Sequence, residues 1–142
     1  MEIILWRHAD AEDGADDLAR RLTAKGHAQA AAMAKWLHRH LRGEYVLAAS
    51  PAKRAQQTAA ALGTAIETEP SLAPGAPVKA IVEAARKREH RGVVIIVGHQ
   101  PDLGRAAAHL VADQADEWPI AKGAIVWIDG RRLRAVLSPD LL

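Results

Sequence analysis

The sequence contains no cysteine, no phenylalanine and only one tyrosine among its 142 residues. The absence of cysteine excludes disulfide bonds, thiolate catalysis and metal sites built on thiolates. Because aromatic side chains are scarce, we expect a core of Ala, Val, Leu and Ile. No apolar run approaches the ~20 residues that a membrane-spanning helix needs. Residues 1–6 lack the basic and apolar regions of a signal peptide, so we expect a cytoplasmic protein.

A large surface of one charge is also missing. The formal net charge is +2, and the basic residues are scattered apart from small clusters at Arg86–Arg91 and Arg131–Arg134. A nucleic-acid-binding protein usually has a larger basic stripe or a recognisable reading motif. We therefore expect neither a nucleic acid nor a membrane as partner, and we interpret Arg86–Arg91 as a solvated helix end. The weak positive bias suits a phosphorylated substrate.

The periodicity of the apolar residues predicts strands that alternate with helices. We expect residues 1–142 to form a single domain. The predicted strands are Glu2–Trp6, Tyr45–Ala49, Val93–Val97 and a short edge strand at Ile66–Thr68, followed by a hairpin of Ala124–Ile128 and Leu133–Leu137. The predicted helices are Ala24–Leu41 with Thr23 as N-cap, Ser50 to about Leu62 with Ser50 as N-cap and Pro51 as first helical residue, Val78–Ala85, and Asp102–Val111.

This order of elements predicts the fold class. Val93–Val97 shows no polar alternation, which indicates a strand covered on both faces. Strands that alternate with helices favour a mostly parallel sheet with helices on both sides. We therefore expect an α/β protein with three layers, α/β/α, and an antiparallel hairpin at its C-terminal end.

Three polar clusters follow the three clearest strands. They are Arg7–Asp10, Ser50–Arg54 and Gly98–Pro101. In an open α/β sheet the ligand crevice lies outside the carboxyl ends of the strands. The three clusters are therefore expected to converge, although they are far apart in the sequence.

The converging groups are suited to phosphate chemistry. Arginine offers a rigid fork of donors that matches phosphate oxygens, and helix N-termini add backbone N–H groups. Of two histidines, a neutral one can attack phosphorus while the other donates to a phosphate oxygen. Neighbouring arginines help to keep the attacking imidazole neutral. The clusters predict a site that binds a phosphoryl dianion and can also break the bond between phosphorus and its leaving group.

Four separated motifs make the chain resemble a known family. The motifs are Arg7-His8, Leu22-Thr23-x-x-Gly26-x-x-Gln29-Ala30, Ser50-Pro51-x-x-Arg54-Ala55-x-Gln57-Thr58 and Gly98-His99-x-Pro101. Their order and spacing over residues 1 to about 110 are similar to those of the histidine phosphatase superfamily, whose fold is phosphoglycerate mutase-like. The short chain and the clipped segment Thr64–Pro77 resemble the phosphohistidine phosphatase branch.

The resemblance implies a role for each matched residue. His8 would be the nucleophile, and Arg7, Arg54 and His99 would be catalytic residues that also bind the phosphate. The reaction would pass through phospho-His8, which water hydrolyses in a second step. The resemblance implies no metal and no cofactor. It favours removal of phosphate from phosphohistidine on a protein of the histidine phosphotransfer type.

Two positions depart from the family pattern. Ala9 stands where the family usually has glycine, which is expected to narrow the space beside the nucleophile. Larger relatives carry a glutamate in mid-chain that protonates an alcohol leaving group, and Pro70–Gly75 contains no carboxylate. An imidazole leaving group is close to its protonated state near neutral pH and needs less help. Asp10 or Asp16 remains an alternative source of a proton.

Other functions compete with this interpretation. One alternative is a phosphatase for a small phosphoester or a sugar phosphate, and another is a non-catalytic module that binds phosphate or a phosphoprotein. The presence of His8 argues against the module, because binding alone needs no nucleophile. A metal site at His8, Asp10 and His99 is disfavoured, because Arg7 and Arg54 would repel a cation. A monomer is expected.

Overall fold

The computed structural model describes residues 1–142, and its elements alternate as the sequence predicts. The strands are β1 (Glu2–Arg7), β2 (Tyr45–Ala49), β3 (Ile66–Thr68), β4 (Val93–Gly98), β5 (Ile125–Asp129) and β6 (Arg132–Leu137). The α-helices are α1 (Ala24–His40), α2 (Lys53–Ala60), α3 (Val78–Arg86) and α4 (Asp102–Ala112). None of these helices combines the length and the apolar character that a membrane crossing needs.

All six strands form one mixed sheet, with the order β3-β2-β4-β1-β5-β6. The pairs β3–β2, β2–β4 and β4–β1 are parallel. The pairs β1–β5 and β5–β6 are antiparallel, and β5 and β6 form the C-terminal hairpin. The predicted α/β class, with a mostly parallel sheet and an antiparallel hairpin, is confirmed.

The sheet is covered on both faces, and each face has its own apolar core. On one face, side chains of α3 and α4 such as Ile81 and Leu103 pack on the sheet. On the other face, side chains of α1 and α2 such as Met33 and Ala55 do so. The strand β4 lies between β2 and β1 and is buried along its whole length, which explains its unbroken apolar sequence. The three-layer arrangement is confirmed.

The predicted start of α1 is confirmed, whereas that of α2 is wrong. Thr23 caps α1, because its Oγ1 accepts a hydrogen bond from the backbone N–H of Gly26 at 3.0 Å. The helix α2 begins only at Lys53, since Ala52 still has an extended backbone with ψ of 137°. The Ser50 hydroxyl accepts from the N–H of Ala52 within this turn and caps no helix.

The interpretation of Arg86–Arg91 as a solvated helix end is wrong for Arg88, whereas Arg91 is exposed as expected. Arg88 is buried and donates to Glu67 at 2.8 Å and to Glu69 at 3.2 Å. Arg91 donates to Glu67 at 2.6 Å. We call Glu67, Glu69, Arg88 and Arg91 the edge network. Its carboxylates come from the edge strand β3 and the residue after it, which a count of charges along residues 86–91 does not reveal.

Candidate active site

The carboxyl ends of β1, β2 and β4 lie side by side and bring the three polar clusters together. The parallel ladder continues one residue past the strands, because His8 N–H donates to the carbonyl of Gly98 and Ser50 N–H to that of Val97, each at 3.0 Å. His8 therefore follows β1, Ser50 follows β2 and His99 follows β4 at the same edge of the sheet. The expected convergence of these clusters is confirmed.

His8 is held as a neutral imidazole with a defined tautomer. Its Nδ1 lies 2.7 Å from the carbonyl oxygen of Ala9. A carbonyl only accepts, so Nδ1 carries the proton and Nε2 keeps its lone pair. Burial lowers the pKa of His8 to about 4, and the positive charges of Arg54 and Arg7 act in the same direction. The lone pair on Nε2 is therefore available at neutral pH.

Arg54 connects the other groups of the pocket. It lies in the first turn of α2 and is 4% exposed, whereas the adjacent Lys53 is exposed. Its Nε donates to His8 Nε2 at 3.3 Å, and its Nη2 lies 3.4 Å from His99 Nδ1. Its Nη1 donates to the backbone carbonyl of Asp17 at 2.6 Å. The helix thus directs this guanidinium into the sheet edge and away from solvent.

His99 is the second neutral imidazole of the pocket. Burial, followed by the proximity of His8 and Arg54, lowers the pKa of His99 to about 3. Its Nε2 lies 2.7 Å from the Ser50 hydroxyl, and its ring centroid lies 5.3 Å from that of His8. Its Nδ1 faces Arg54 and the interior of the pocket.

Arg7 supplies the second guanidinium. Its Nη1 donates to the carbonyl of Ile120 at 2.7 Å. Its Nε is buried and has no hydrogen-bond partner within the protein. A buried donor left in this condition costs about 1–3 kcal/mol, which is typical of a group that serves a ligand. Its charge is near enough to both histidines to lower their pKa values.

Residues 118–124 form a wall beside the pocket that sequence analysis did not identify. Gly123 N–H donates to the carbonyl of His8 at 3.2 Å, and the carbonyl of Gly123 accepts from Trp6 Nε1 at 3.1 Å. Gly123 has a φ of 74°, a conformation that favours glycine. Lys122 forms an ion pair with Asp10 at 2.9 Å. Only the hydrogen bonds across the fold reveal this role, because residues 118–124 carry no motif.

The carboxylates near the pocket differ in their surroundings. Hydrogen bonds from Lys122 and Thr23 hold the pKa of Asp10 below its ordinary value, so Asp10 is not a ready proton donor. Asp16 is exposed, and its side chain makes no hydrogen bond. Asp17, which sequence analysis did not select, lies 3.1 Å from Arg54 Nη2 through its Oδ2. The acidic run of residues 10–17 gave no signal that distinguishes Asp17 from its neighbours.

Ala9, which stands where the family usually has glycine, has apolar surroundings, and the expected narrowing of the space beside His8 stays a prediction. It is fully buried in a small apolar cluster with Leu22 and Ala30, and its backbone N–H donates to Thr58 Oγ1 at 3.0 Å. Its φ is not positive, so no strain favours glycine there. The methyl group is therefore accommodated by apolar packing rather than by the polar groups of the pocket.

The pocket thus combines two guanidinium groups, a neutral imidazole with a free lone pair and a second imidazole that can take up a proton. The guanidinium groups attract an anion with several oxygens, and the lone pair on His8 Nε2 can attack an electrophilic centre of that anion. No group of three or more His, Cys, Asp or Glu side chains is arranged to hold a metal ion.

Comparisons with known proteins agree with this geometry. A family profile described as the histidine phosphatase superfamily (branch 1) matches residues 3–76. The phosphohistidine phosphatase SixA of Escherichia coli (strain K12) is 32% identical over 120 residues, which cover 78% of this chain and 74% of that protein. An uncharacterized protein of Picosynechococcus is 34% identical over 127 residues, covering 80% and 75% of the two chains.

A solved structure shows the same architecture. The protein histidine phosphatase SixA complexed with tungstate superimposes with a TM-score of 0.86 and 26% identity, covering 99% of each chain. The profile match includes Arg7, His8 and Arg54, and the structural match also extends over the C-terminal hairpin. The chain therefore belongs to the histidine phosphatase superfamily, as a SixA-like phosphatase.

Proposed function

We propose that this chain removes phosphate from phosphohistidine on a partner protein and that the phosphoryl group passes through His8. In this proposal His8 is the nucleophile, and Arg7, Arg54 and His99 bind the phosphoryl oxygens. The observation that supports it most strongly is the pair His8–Arg54, in which a neutral Nε2 and a guanidinium Nε are 3.3 Å apart in a buried site. Nucleophile and oxygen-binding group then act on the same phosphoryl group.

The first step transfers the phosphoryl group to the enzyme. The lone pair of His8 Nε2 forms a bond to phosphorus while the P–N bond of the substrate breaks, and its electron pair goes to the leaving nitrogen. Arg7 and Arg54 stabilise the charge on the oxygens. His99 donates from Nδ1 once the bound dianion favours its protonated form, and Ser50 accepts from Nε2. In the second step water attacks phosphorus, and phosphate and neutral His8 are released.

The lack of an unpaired carboxylate between Thr64 and Pro77 favours a nitrogen leaving group. The only carboxylates between Thr64 and Pro77 are Glu67 and Glu69, and both belong to the edge network. Hydrogen bonds from Arg91 and Arg88 lower the pKa of Glu67 to about 2. An alkoxide leaving from phosphorus needs a proton donor, whereas a protonated phosphohistidine ring leaves as neutral imidazole.

A short segment beside the pocket favours a protein as partner. Only residues 69–77 connect β3 to α3, and Asp102 fixes this connection by accepting from the N–H groups of Gly75 and Ala76. So short a connection leaves the crevice accessible to a side chain on a folded surface. The relative SixA is named a phosphohistidine phosphatase, which supports the same substrate class.

The test compares kcat/KM for a phosphohistidine protein, phosphoramidate and a panel of sugar phosphates in one buffer. We expect the phosphohistidine protein and phosphoramidate to be preferred, vanadate to inhibit and EDTA to leave the rates unchanged. A sugar phosphate that is preferred by more than about tenfold, ~1.4 kcal/mol at the transition state, would replace this proposal with a small-phosphoester phosphatase.

A further inference from the structure

Asp17 places a negative charge beside a site that binds a dianion. Its Oδ2 accepts from Arg54 Nη2 and its Oδ1 from Arg20 Nη1, both at 3.1 Å. A carboxylate in this position repels a bound phosphoryl group and competes for the guanidinium. Its presence is unfavourable for phosphate binding alone, so the charge requires a different explanation.

The other carboxylates of this loop are directed elsewhere. Asp10 pairs with Lys122, and Glu12 pairs with Arg21. Asp17 alone among the carboxylates makes a side-chain contact with a residue of the pocket. Hydrogen bonds from Arg20 and Arg54 hold the pKa of Asp17 below its ordinary value. Asp17 is therefore suited to accept a hydrogen bond and not to donate a proton.

Asp17 lies on the solvent side of the pocket, where the leaving group is expected to depart. The Asp17 side chain is 54% exposed, whereas Arg54 is 5% exposed at its side chain and His8 is 8% exposed. The nucleophile thus lies at the floor of the pocket and Asp17 at its mouth. Arg54 spans the two, with Nε at His8 and Nη2 at Asp17. In-line displacement puts the leaving group opposite the nucleophile, on the solvent side.

We propose that Asp17 recognises the departing imidazole of phosphohistidine by accepting a hydrogen bond from the ring N–H that is not phosphorylated. The inference rests on the proposed function and adds a residue that determines its specificity. Before transfer this ring is protonated on one nitrogen and phosphorylated on the other. When the P–N bond breaks, its electron pair neutralises the ring, so no proton moves and Asp17 stays ionised.

The two imidazoles of the reaction then have equivalent supports. The carbonyl of Ala9 holds Nδ1–H of His8, 2.7 Å away, and so favours the form of His8 that carries a phosphoryl group on Nε2. Asp17 does the same for the substrate ring, with a full negative charge that raises the affinity of that ring for its proton. Asp17 would also repel a leaving group that departs as an anion.

The experiment measures kcat/KM of wild type and Asp17→Asn with N-phosphohistidine and with p-nitrophenyl phosphate, whose leaving group is an anion. Asn is isosteric and removes only the charge. We expect about a tenfold loss with N-phosphohistidine and about a threefold gain with p-nitrophenyl phosphate, because charge-assisted hydrogen bonds are about twice as strong as neutral ones. Asp16→Asn is the matched control, because Asp16 is exposed and its side chain makes no hydrogen bond, and it should change neither rate.

The opposite signs distinguish this role from two simpler ones. A parallel loss with both substrates would mean that Asp17 only positions Arg54, and a parallel gain would mean that it only competes with phosphate. Either result overturns the inference. A wild type that prefers sugar phosphates to N-phosphohistidine would overturn the proposed function itself, independently of what Asp17→Asn does.

Discussion

Arg54 and Arg88 are the two buried arginines of the chain, and their partners differ. Arg88 donates to two carboxylates, those of Glu67 and Glu69, and also to the carbonyl of Ala84. Arg54 faces two imidazoles and a single, largely exposed carboxylate. Positive charge is thus compensated in the edge network and left in excess in the pocket.

The difference shows how the same side chain serves structure in one place and chemistry in another. The edge network consists of opposite charges that satisfy each other and tie β3 to the end of α3. In the pocket, burial depresses the pKa values of His8 and His99, and the charges of the arginines act in the same direction. Because the pocket arginines are not fully paired with carboxylates of the protein, their charges remain available to bind a dianion.

Removal of His8, the proposed nucleophile, is expected to have the largest effect on activity. His8→Ala is expected to lower kcat by about 10⁴-fold or more, because the covalent route is lost while the fold is retained. Acid-labile, alkali-stable phosphate should be trapped on the wild type during turnover and be absent from His8→Ala. Retention of such a phosphate in His8→Ala, with a native circular dichroism spectrum, would exclude His8 as nucleophile.

Truncation of Arg54 should lower activity, whereas truncation of Arg88 should lower stability. Arg54→Ala is expected to lower kcat/KM by about 10²–10⁴-fold, because it removes a charged donor from a buried anion site. Arg88→Ala is expected to lower the free energy of unfolding by about 3 kcal/mol, since it leaves Glu69 without its buried partner. Its kcat/KM should stay within about threefold of wild type, because the edge network makes no side-chain contact with the pocket.

Both variants are measured by steady-state kinetics and by urea denaturation. Arg7→Ala serves as the second pocket variant and is expected to resemble Arg54→Ala. If Arg88→Ala lowered activity as strongly as Arg54→Ala without loss of stability, the distinction between a structural and a chemical arginine would fail.

The elements and the pocket were accessible to sequence analysis for identifiable physical reasons. The unbroken apolar run of β4 indicated its central position, and the position of Arg7, Ser50 and His99 after strands indicated one edge of the sheet. These inferences use only local periodicity and the topology of parallel sheets. The extent of the domain, residues 1–142, stays a prediction.

The remaining features depend on contacts between distant segments. Asp17 joins Arg54 across 37 positions and Glu67 joins Arg91 across 24, and nothing local distinguishes these carboxylates from exposed neighbours. Ser50 precedes proline and looks like a helix cap, yet its hydroxyl contacts His99, which is 49 residues away. Composition and spacing predict elements well, but they do not predict which charged side chains pair between them.

Lower pH should weaken the fold through the pocket histidines. Their pKa values of about 4 and about 3 lie below the ordinary 6.5, so the unfolded chain binds the protons first. With respect to these two groups, the free energy of unfolding is highest above pH 6.5, where both states are neutral. It decreases as the pH falls towards 4. His8 alone accounts for about 3 kcal/mol.

The measurement is urea denaturation between pH 7 and pH 4.5, where Glu67 of the edge network stays ionised because its pKa is about 2. His8→Asn removes one titrating group, so its free energy of unfolding should fall less steeply over this range than that of the wild type. Equal slopes for the two proteins would show that His8 is not held neutral by the fold.

The smallest expected effect concerns Ser50, whose hydroxyl contacts His99 and not His8. Its buried hydroxyl lies 2.7 Å from His99 Nε2 and accepts from the N–H of Ala52. A protonated His99 needs an acceptor at Nε2 while Nδ1 faces the phosphate, so Ser50→Ala should lower kcat/KM by about tenfold.

Ser50→Thr keeps the hydroxyl and should recover most of the rate, which a purely steric role would not allow. Ser138→Ala is the control, because this half-buried hydroxyl donates to Asp140 and contacts no pocket residue. The kinetic defect of Ser50→Ala should appear in kcat. Because Nδ1 of neutral His99 faces Arg54 Nη2, Nε2 already donates to Ser50, so the free energy of unfolding at pH 7 should also fall by about 1 kcal/mol.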